Sequence, residues 1–532
     1  MGLFFSVVIP GFSVHAPYQQ HLSFHDRIPV SGESQLQHQI EQLNNDAIQA
    51  ARMGDDTRAE SLWSAALALD GTQMRIRANL ARLLFKAGRD EAVLALLHGM
   101  PLALASPALL MLQGQSALRL RRYAAAHAAF VAASRLLPDD PSVLLALSQA
   151  AVGSGLLDQA VTLLQGLHQR FPDELEPLLN LAVALGESGQ LDAAAALHAT
   201  LLDRYGDQEP VRLNATRFFL QLGDLEQAEA SLQPLRGRVI QNVAIALLHA
   251  ELALARGDRD SAHDSLTAAR TLDPRNLDVA LPLFYGLMDQ GEHDKATTLI
   301  AELWPPPTDQ LPSTRLFAAI ADLPSQGQRA LGLSMSFAPA DLVKTQPLLD
   351  PAEPLLEHCR TALCSEQTLL YERPGKPTRG GSQSYEVLDR SDGPWPQLQQ
   401  YLRAAVTRHV AEYDAHSEWF QAFRLHQRAP ESLRLSGWGV VLQSGGRQLR
   451  HTHPEAVLSG VLYLALPPLP SAAETSEGAL WFSPPSWRAA SEPGFLVQPA
   501  VGLLVLFPSF VPHETIPFQS EGQRVCLAFN VS

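Results

Sequence analysis

Cysteine is scarce in this chain, with Cys359, Cys364 and Cys526 the only three in 532 residues. That is too few for a disulfide framework. Cys359 and Cys364 have no second pair with which to hold zinc, so the chain reads as one suited to a reducing, cytoplasmic compartment. Positive charge is also in deficit, with 40 Lys and Arg against 55 Asp and Glu and a formal net charge of -15. Nucleic acid and anionic lipid both demand a dominant basic surface, so neither is expected as a partner, which leaves proteins or small molecules. Long hydrophobic runs are missing too, since no stretch approaches the roughly 18 uncharged apolar residues of a membrane span. The N-terminal run LFFSVVIPGF has no basic residues before it and carries Pro10 inside its apolar part, unlike a secretory signal. Residues 1–36 are set aside as a lead segment for which disorder is one expectation. The length calls for two to four domains.

Repetition, in contrast, is abundant. From residue 155 a Gly followed five positions later by Ala recurs as GLLDQA (Gly155–Ala160), GQLDAA (Gly189–Ala194), GDLEQA (Gly223–Ala228), GDRDSA (Gly257–Ala262) and GEHDKA (Gly291–Ala296), in steps of 34 residues. Counting backwards by the same step reaches RRYAAA at Arg121–Ala126 and AGRDEA at Ala87–Ala92, with a degenerate copy near Met53, about eight units in all. Pro138, Pro172 and Pro274 each follow the Ala of their unit by 12 residues. The physical reading is two antiparallel helices per unit. Gly closes the first at positive φ, and Ala lets the second approach closely. Apolar residues at helical spacing, such as Ala160, Leu163, Leu164 and Leu167, supply the buried face. Such hairpins bury their faces only by stacking. The pattern resembles the tetratricopeptide (TPR) repeat over residues 37–304, which implies an all-α solenoid whose groove takes a protein or peptide. A rigid spacer or dimerisation surface is the plainer alternative.

The beat ends at Pro305–Pro307, which cannot continue a helix. Residues 305–365 read as a connector with helical pieces, one around Leu355–Leu363. Beyond it one helix is expected over Trp395–Asp414. Short strands then follow in SLRLSGWGVVLQSGG, LSGVLYLAL, GALWFSP, GLLVLFPS and QRVCLAFNVS. Gly and Pro at their turns suggest an antiparallel sandwich or barrel over 366–532.

Within this stretch His451 and His453 are spaced to point to one face of a strand. His513 follows an apolar strand about 60 residues later, and these three are the only histidines in 451–532. If the two strands pair, three ligands converge and leave metal positions open, as in non-haem Fe(II) oxygenases. Glu455 makes His453-Pro454-Glu455 an alternative pair with His513, although Pro454 reads as a turn. Arg524, inward in an alternating strand, would need an anionic partner, because an isolated buried charge is costly.

The run His451-Thr-His453-Pro454, Leu458-Ser459-Gly460-Val461-Leu462-Tyr463, Gly478-Ala-Leu-Trp-Phe482, Phe507-Pro508-Ser509, His513, Arg524 and Phe529-Asn530 resembles the 2-oxoglutarate/Fe(II)-dependent oxygenases of the prolyl-hydroxylase-like kind. The resemblance implies an α+β multidomain chain whose C-terminal part is a double-stranded β-helix (jelly roll). It also implies Fe(II) held by His451, His453 and His513, with Glu455 the alternative to His451. The far carboxylate of 2-oxoglutarate would rest on Arg524, with Tyr463 as a hydrogen-bond donor. A departure is Cys526, where the family pattern has Ser. The function implied is a dioxygenase that hydroxylates a protein or peptide side chain recruited by the repeats. The rival is a TPR adaptor whose degenerate barrel binds metal without chemistry.

Overall fold

The computed structural model describes residues 33–100, 105–305, 312–335, 337–373, 375–412, 418–425, 433–469, 476–484 and 494–532. LFFSVVIPGF, Pro306, Pro307 and Asp414 lie outside them. The chain divides into two compact units, one ending at Gln190 and the other running from Leu191 to Ser532.

The first unit comprises, among the described residues, nine helices from Glu33–Arg52 to Leu175–Glu187. Their turns place Gly54, Gly88, Arg121, Gly155 and Gly189 at φ of 80, 70, 54, 77 and 75°. Ala59, Val93, Ala126 and Ala160, each five residues on, are fully buried. This corrects the backward count by one position. The second turn is made by Gly88 rather than Ala87, and its buried partner is Val93 rather than Ala92, because the step from Gly88 to Arg121 is 33 residues. AGRDEA matches the pattern by coincidence of composition. Proline opens the helices Pro107–Arg119 and Pro141–Gly153, where its missing N–H costs nothing, and Ser106 and Asp140 cap them.

The second unit begins with seven more α-helices, ending at His293–Ala301, with Gly223, Gly257 and Gly291 again at φ near 75°. Next comes helix Thr314–Asp322, which joins two cores. Leu316, Ala319 and Ile320 pack with the preceding helices. Phe317 and Ala318 pack with the β-rich part, where the Phe317 ring meets Phe423 and Phe510 at 5.2 and 5.3 Å. The expected helix near Leu355–Leu363 runs over Pro354–Cys364 and the later one over Trp395–Glu412.

Among the described residues this part holds ten strands, interleaved with those helices: β1 (Lys344–Pro347), β2 (Leu370–Tyr371), β3 (Thr378–Glu386), β4 (Leu435–Gln448), β5 (Leu458–Ala465), β6 (Leu480–Phe482), β7 (Phe495–Val497), β8 (Leu503–Pro508), β9 (Glu514–Thr515) and β10 (Arg524–Val531). β1 falls inside the stretch read as a connector. Seven strands form one sheet in the order β1-β8-β5-β10-β4-β3-β2, and β7-β6-β9 form another, every pair antiparallel. From β4 onwards the chain passes repeatedly between the two sheets. Phe482 of β6 packs edge-on against Phe507 of β8 with ring centroids 5.0 Å apart, so the sheets face each other across a shared core. β5 lies between β8 and β10 and is buried along nearly its whole length, which explains why it is apolar on both faces apart from Ser459.

Among the described residues no helix is long and apolar enough to cross a membrane.

Candidate metal and co-substrate site

β4 ends at Gln448, so His451 and His453 lie beyond the strand on which the i, i+2 spacing placed them. They converge for another reason. His451 and His513 form a single antiparallel bridge, each backbone N–H donating to the other's carbonyl at 3.0 Å. The His453 N–H donates to the carbonyl of Ser509 at 3.1 Å, and the chain turns at Pro454. Ser509 is itself held by a hydroxyl contact of 2.7 Å to Ser459, which also donates to Asn530 at 3.0 Å. β5, β10 and the end of β8 thus fix the position of His453.

The three rings come together at centroid distances of 4.4 Å (His451 and His513), 5.0 Å (His451 and His453) and 5.1 Å (His453 and His513). Their ligand atoms all lie within 4.8 Å of one another, the one such group among the described residues. Glu455 is not part of it. The Nδ1 of His451 stands 2.7 Å from the Leu449 carbonyl, and the Nδ1 of His513 3.1 Å from that of Val511. A carbonyl only accepts, so both Nδ1 atoms carry the proton and both Nε2 atoms present bare lone pairs. The Nε2 atoms of His453 and His513 face each other at 3.2 Å.

Burial pushes all three imidazoles down from their ordinary value, His451 to about 4, and for His453 and His513 the neighbouring histidines add to the shift. The group is therefore neutral at physiological pH, the form in which imidazole binds metal. An all-imidazole donor set suits iron, zinc, copper and nickel. Aromatic walls line the site, with Trp438 5.6 Å from His453 and Phe507 4.6 Å from His513.

Arg524 is 1% exposed. Its Nε donates to the Gly478 carbonyl at 3.1 Å, its Nη2 to the Tyr463 hydroxyl at 3.4 Å, and its Nη1 lies 3.5 Å from the Cys526 sulfur. Among the described residues no carboxylate pairs with it, so the guanidinium retains donor capacity and an uncompensated charge. Burial raises the Tyr463 hydroxyl to about 12, against the pull of Arg524, so the phenol keeps its proton.

Sequence reasoning placed Phe482 in the motif but gave it no role beside His513, from which its ring lies 5.9 Å, and it missed Arg450, Ser483 and Asp322. Of these three, only Arg450 carried a hint, by adjacency to His451.

Residues 436–530 match the model of a family described as "Putative 2OG-Fe(II) oxygenase", and residues 151–211 match a tetratricopeptide repeat model. No curated protein matches the chain. Solved structures similar to it include a tetratricopeptide repeat protein from Parabacteroides merdae (13% identity, covering 47% of this chain and 99% of that one, TM-score 0.41). A TPR protein from Thermus thermophilus is similar at 26% identity, 34% and 100% coverage and a TM-score of 0.31. A prolyl-4-hydroxylase from Pseudomonas putida is similar at 22% identity, 36% and 94% coverage and a TM-score of 0.26. This chain thus joins a tetratricopeptide repeat region to a domain recognised by the 2OG-Fe(II) oxygenase model.

Proposed function

We propose that residues 366–532 form a 2-oxoglutarate- and Fe(II)-dependent dioxygenase, and that it hydroxylates a protein or peptide side chain recruited by repeats spanning 37–304. The observation that carries the reading is the convergence of three neutral imidazoles, two with Nδ1 committed to backbone carbonyls and Nε2 left bare. His451, His453 and His513 would hold the metal, and the carbonyls of Leu449 and Val511 fix the tautomers that make two of them ligands. When bound, the metal would activate O2 as the oxidant, with 2-oxoglutarate giving two electrons as it loses CO2 to become succinate, so that one oxygen atom enters a C–H bond and the other the succinate.

Arg524 would take the co-substrate's far carboxylate, which supplies the negative charge that its buried guanidinium lacks. Tyr463, holding its proton, would donate to the same carboxylate. Phe482, Phe507 and Trp438 would limit water at the apolar side of the site and so strengthen the electrostatic contacts within it. The repeats would raise the local concentration of a substrate segment near the barrel.

The test is anaerobic incubation of the full chain with Fe(II) and 2-oxoglutarate, monitored for the visible charge-transfer band of the chelate. A band in the wild type that is lost in His513→Ala is the expected result. Iron binding with no band, and no succinate formed in air, would assign the barrel to the adaptor reading instead.

A further inference from the structure

The segment carrying His451 and His453 lies outside the strands, and the main-chain bonds to His513 and Ser509 are what tie the histidines themselves down. Side chains of helix Thr314–Asp322 bracket it on both sides. At the start of the helix the Thr314 hydroxyl donates to the carbonyl of Ala456 at 2.6 Å, a buried bond across 142 residues of sequence. At its end the Asp322 carboxylate lies 3.9 Å from Nη2 of Arg450, the residue preceding His451. Arg450 is anchored in turn by Nε to the Ser483 hydroxyl at 3.1 Å.

Asp322 is 3% exposed and occupies the last position of its helix. That is an unfavourable place for a carboxylate, because the helix ends in bare carbonyls. The helix does not account for an acid there, but the Arg450 guanidinium does. The Tyr285 hydroxyl donates to the other carboxylate oxygen at 3.3 Å, and Tyr285 belongs to the helix Leu277–Asp289 among the repeats.

We propose that helix Thr314–Asp322 is a strap that holds the His451–His453 segment in its ligand geometry, with Asp322 and Thr314 as positioning residues. The assignment rests on the metal site proposed above. Ligands must be held to within about 0.5 Å for tight binding, and loss of an outer partner typically weakens a metal site 10- to 100-fold. The strap also makes the end of the repeat array a structural support of the catalytic domain.

Co(II) is a suitable probe, because its ligand-field spectrum reports coordination geometry without turnover. The full-length wild type, His513→Ala, Asp322→Asn and Thr314→Val would each be titrated with Co(II), and the metal-free melting of each recorded. The expected result is one equivalent bound by the wild type and none by His513→Ala. Asp322→Asn and Thr314→Val should each bind about tenfold more weakly with an altered ligand-field band. Wild-type affinity and spectrum in both variants would overturn the strap while leaving the metal site standing. Absence of Co(II) binding by the wild type would overturn both. Should Asp322→Asn fail to fold, Thr314→Val decides, since it removes one methyl-sized donor and no charge.

Discussion

The guanidinium of Arg524 sits 4.9 Å over the ring of Tyr463 with both side chains fully buried, a cation held against an aromatic face rather than a carboxylate. Such an arrangement costs stability in the free protein and is offset when an anion arrives. Arg524→Met should therefore weaken 2-oxoglutarate binding roughly 100-fold, about 3 kcal/mol, with Co(II) affinity unchanged. The melting midpoint without ligand should hold or rise. Calorimetric titration of the metal-loaded protein and a thermal scan check the two halves.

Gly502 joins this site to the edge of the large sheet. It adopts φ of +80°, its N–H donates to the Tyr463 carbonyl, and its own carbonyl accepts from Leu348. A Cβ there would stand 2.2 Å from the Leu349 carbonyl oxygen, a backbone atom that cannot move aside. Gly502→Ala should cost about 2 to 4 kcal/mol in urea unfolding and loosen the proposed co-substrate site through Tyr463.

Arg121 makes a helix turn at φ of 54°, where the equivalent residues are glycine. A side chain in that region costs about 1 to 2 kcal/mol. Arg121→Gly should stabilise the first unit by about 1 kcal/mol after the entropy of glycine is subtracted, measured as a higher denaturation midpoint.

His198 is packed 4.7 Å from the Phe218 ring, and burial lowers it to about 4. Because the folded value lies below the unfolded one, the unfolded chain binds more protons between them. The contribution of His198 is complete above pH 6.5 and is lost as pH falls towards 4, by about 3 kcal/mol at most. His198→Leu should melt with a shallower pH dependence across that window, and an unchanged slope would show that the histidine is not held neutral.

The candidate site was legible in the sequence as a set of residues, but the way the chain brings its histidines together was not. His451 and His453 were paired by an alternation that requires a strand, yet they meet His513 through a bridge beyond the strand end. β7 and β9 have three and two residues, too few for any alternation to register. The slip to 33 residues between Gly88 and Arg121 was hidden because Ala87 and Ala92 imitate the motif one position early.

Local pattern alone determined the paired helices, the apolar central strands and the presence of three histidines and one arginine in a β-rich region, since periodicity and turn chemistry act over a few residues at a time. Tertiary structure decided what those side chains can do. It set the tautomers through the carbonyls of Leu449 and Val511, stripped Arg524 of water without giving it a carboxylate, and brought Thr314 and Asp322 against a segment more than 100 residues away. Burial and long-range contact depend on the whole path of the chain, and it is these that turn an imidazole into a candidate ligand and a guanidinium into a candidate anion site.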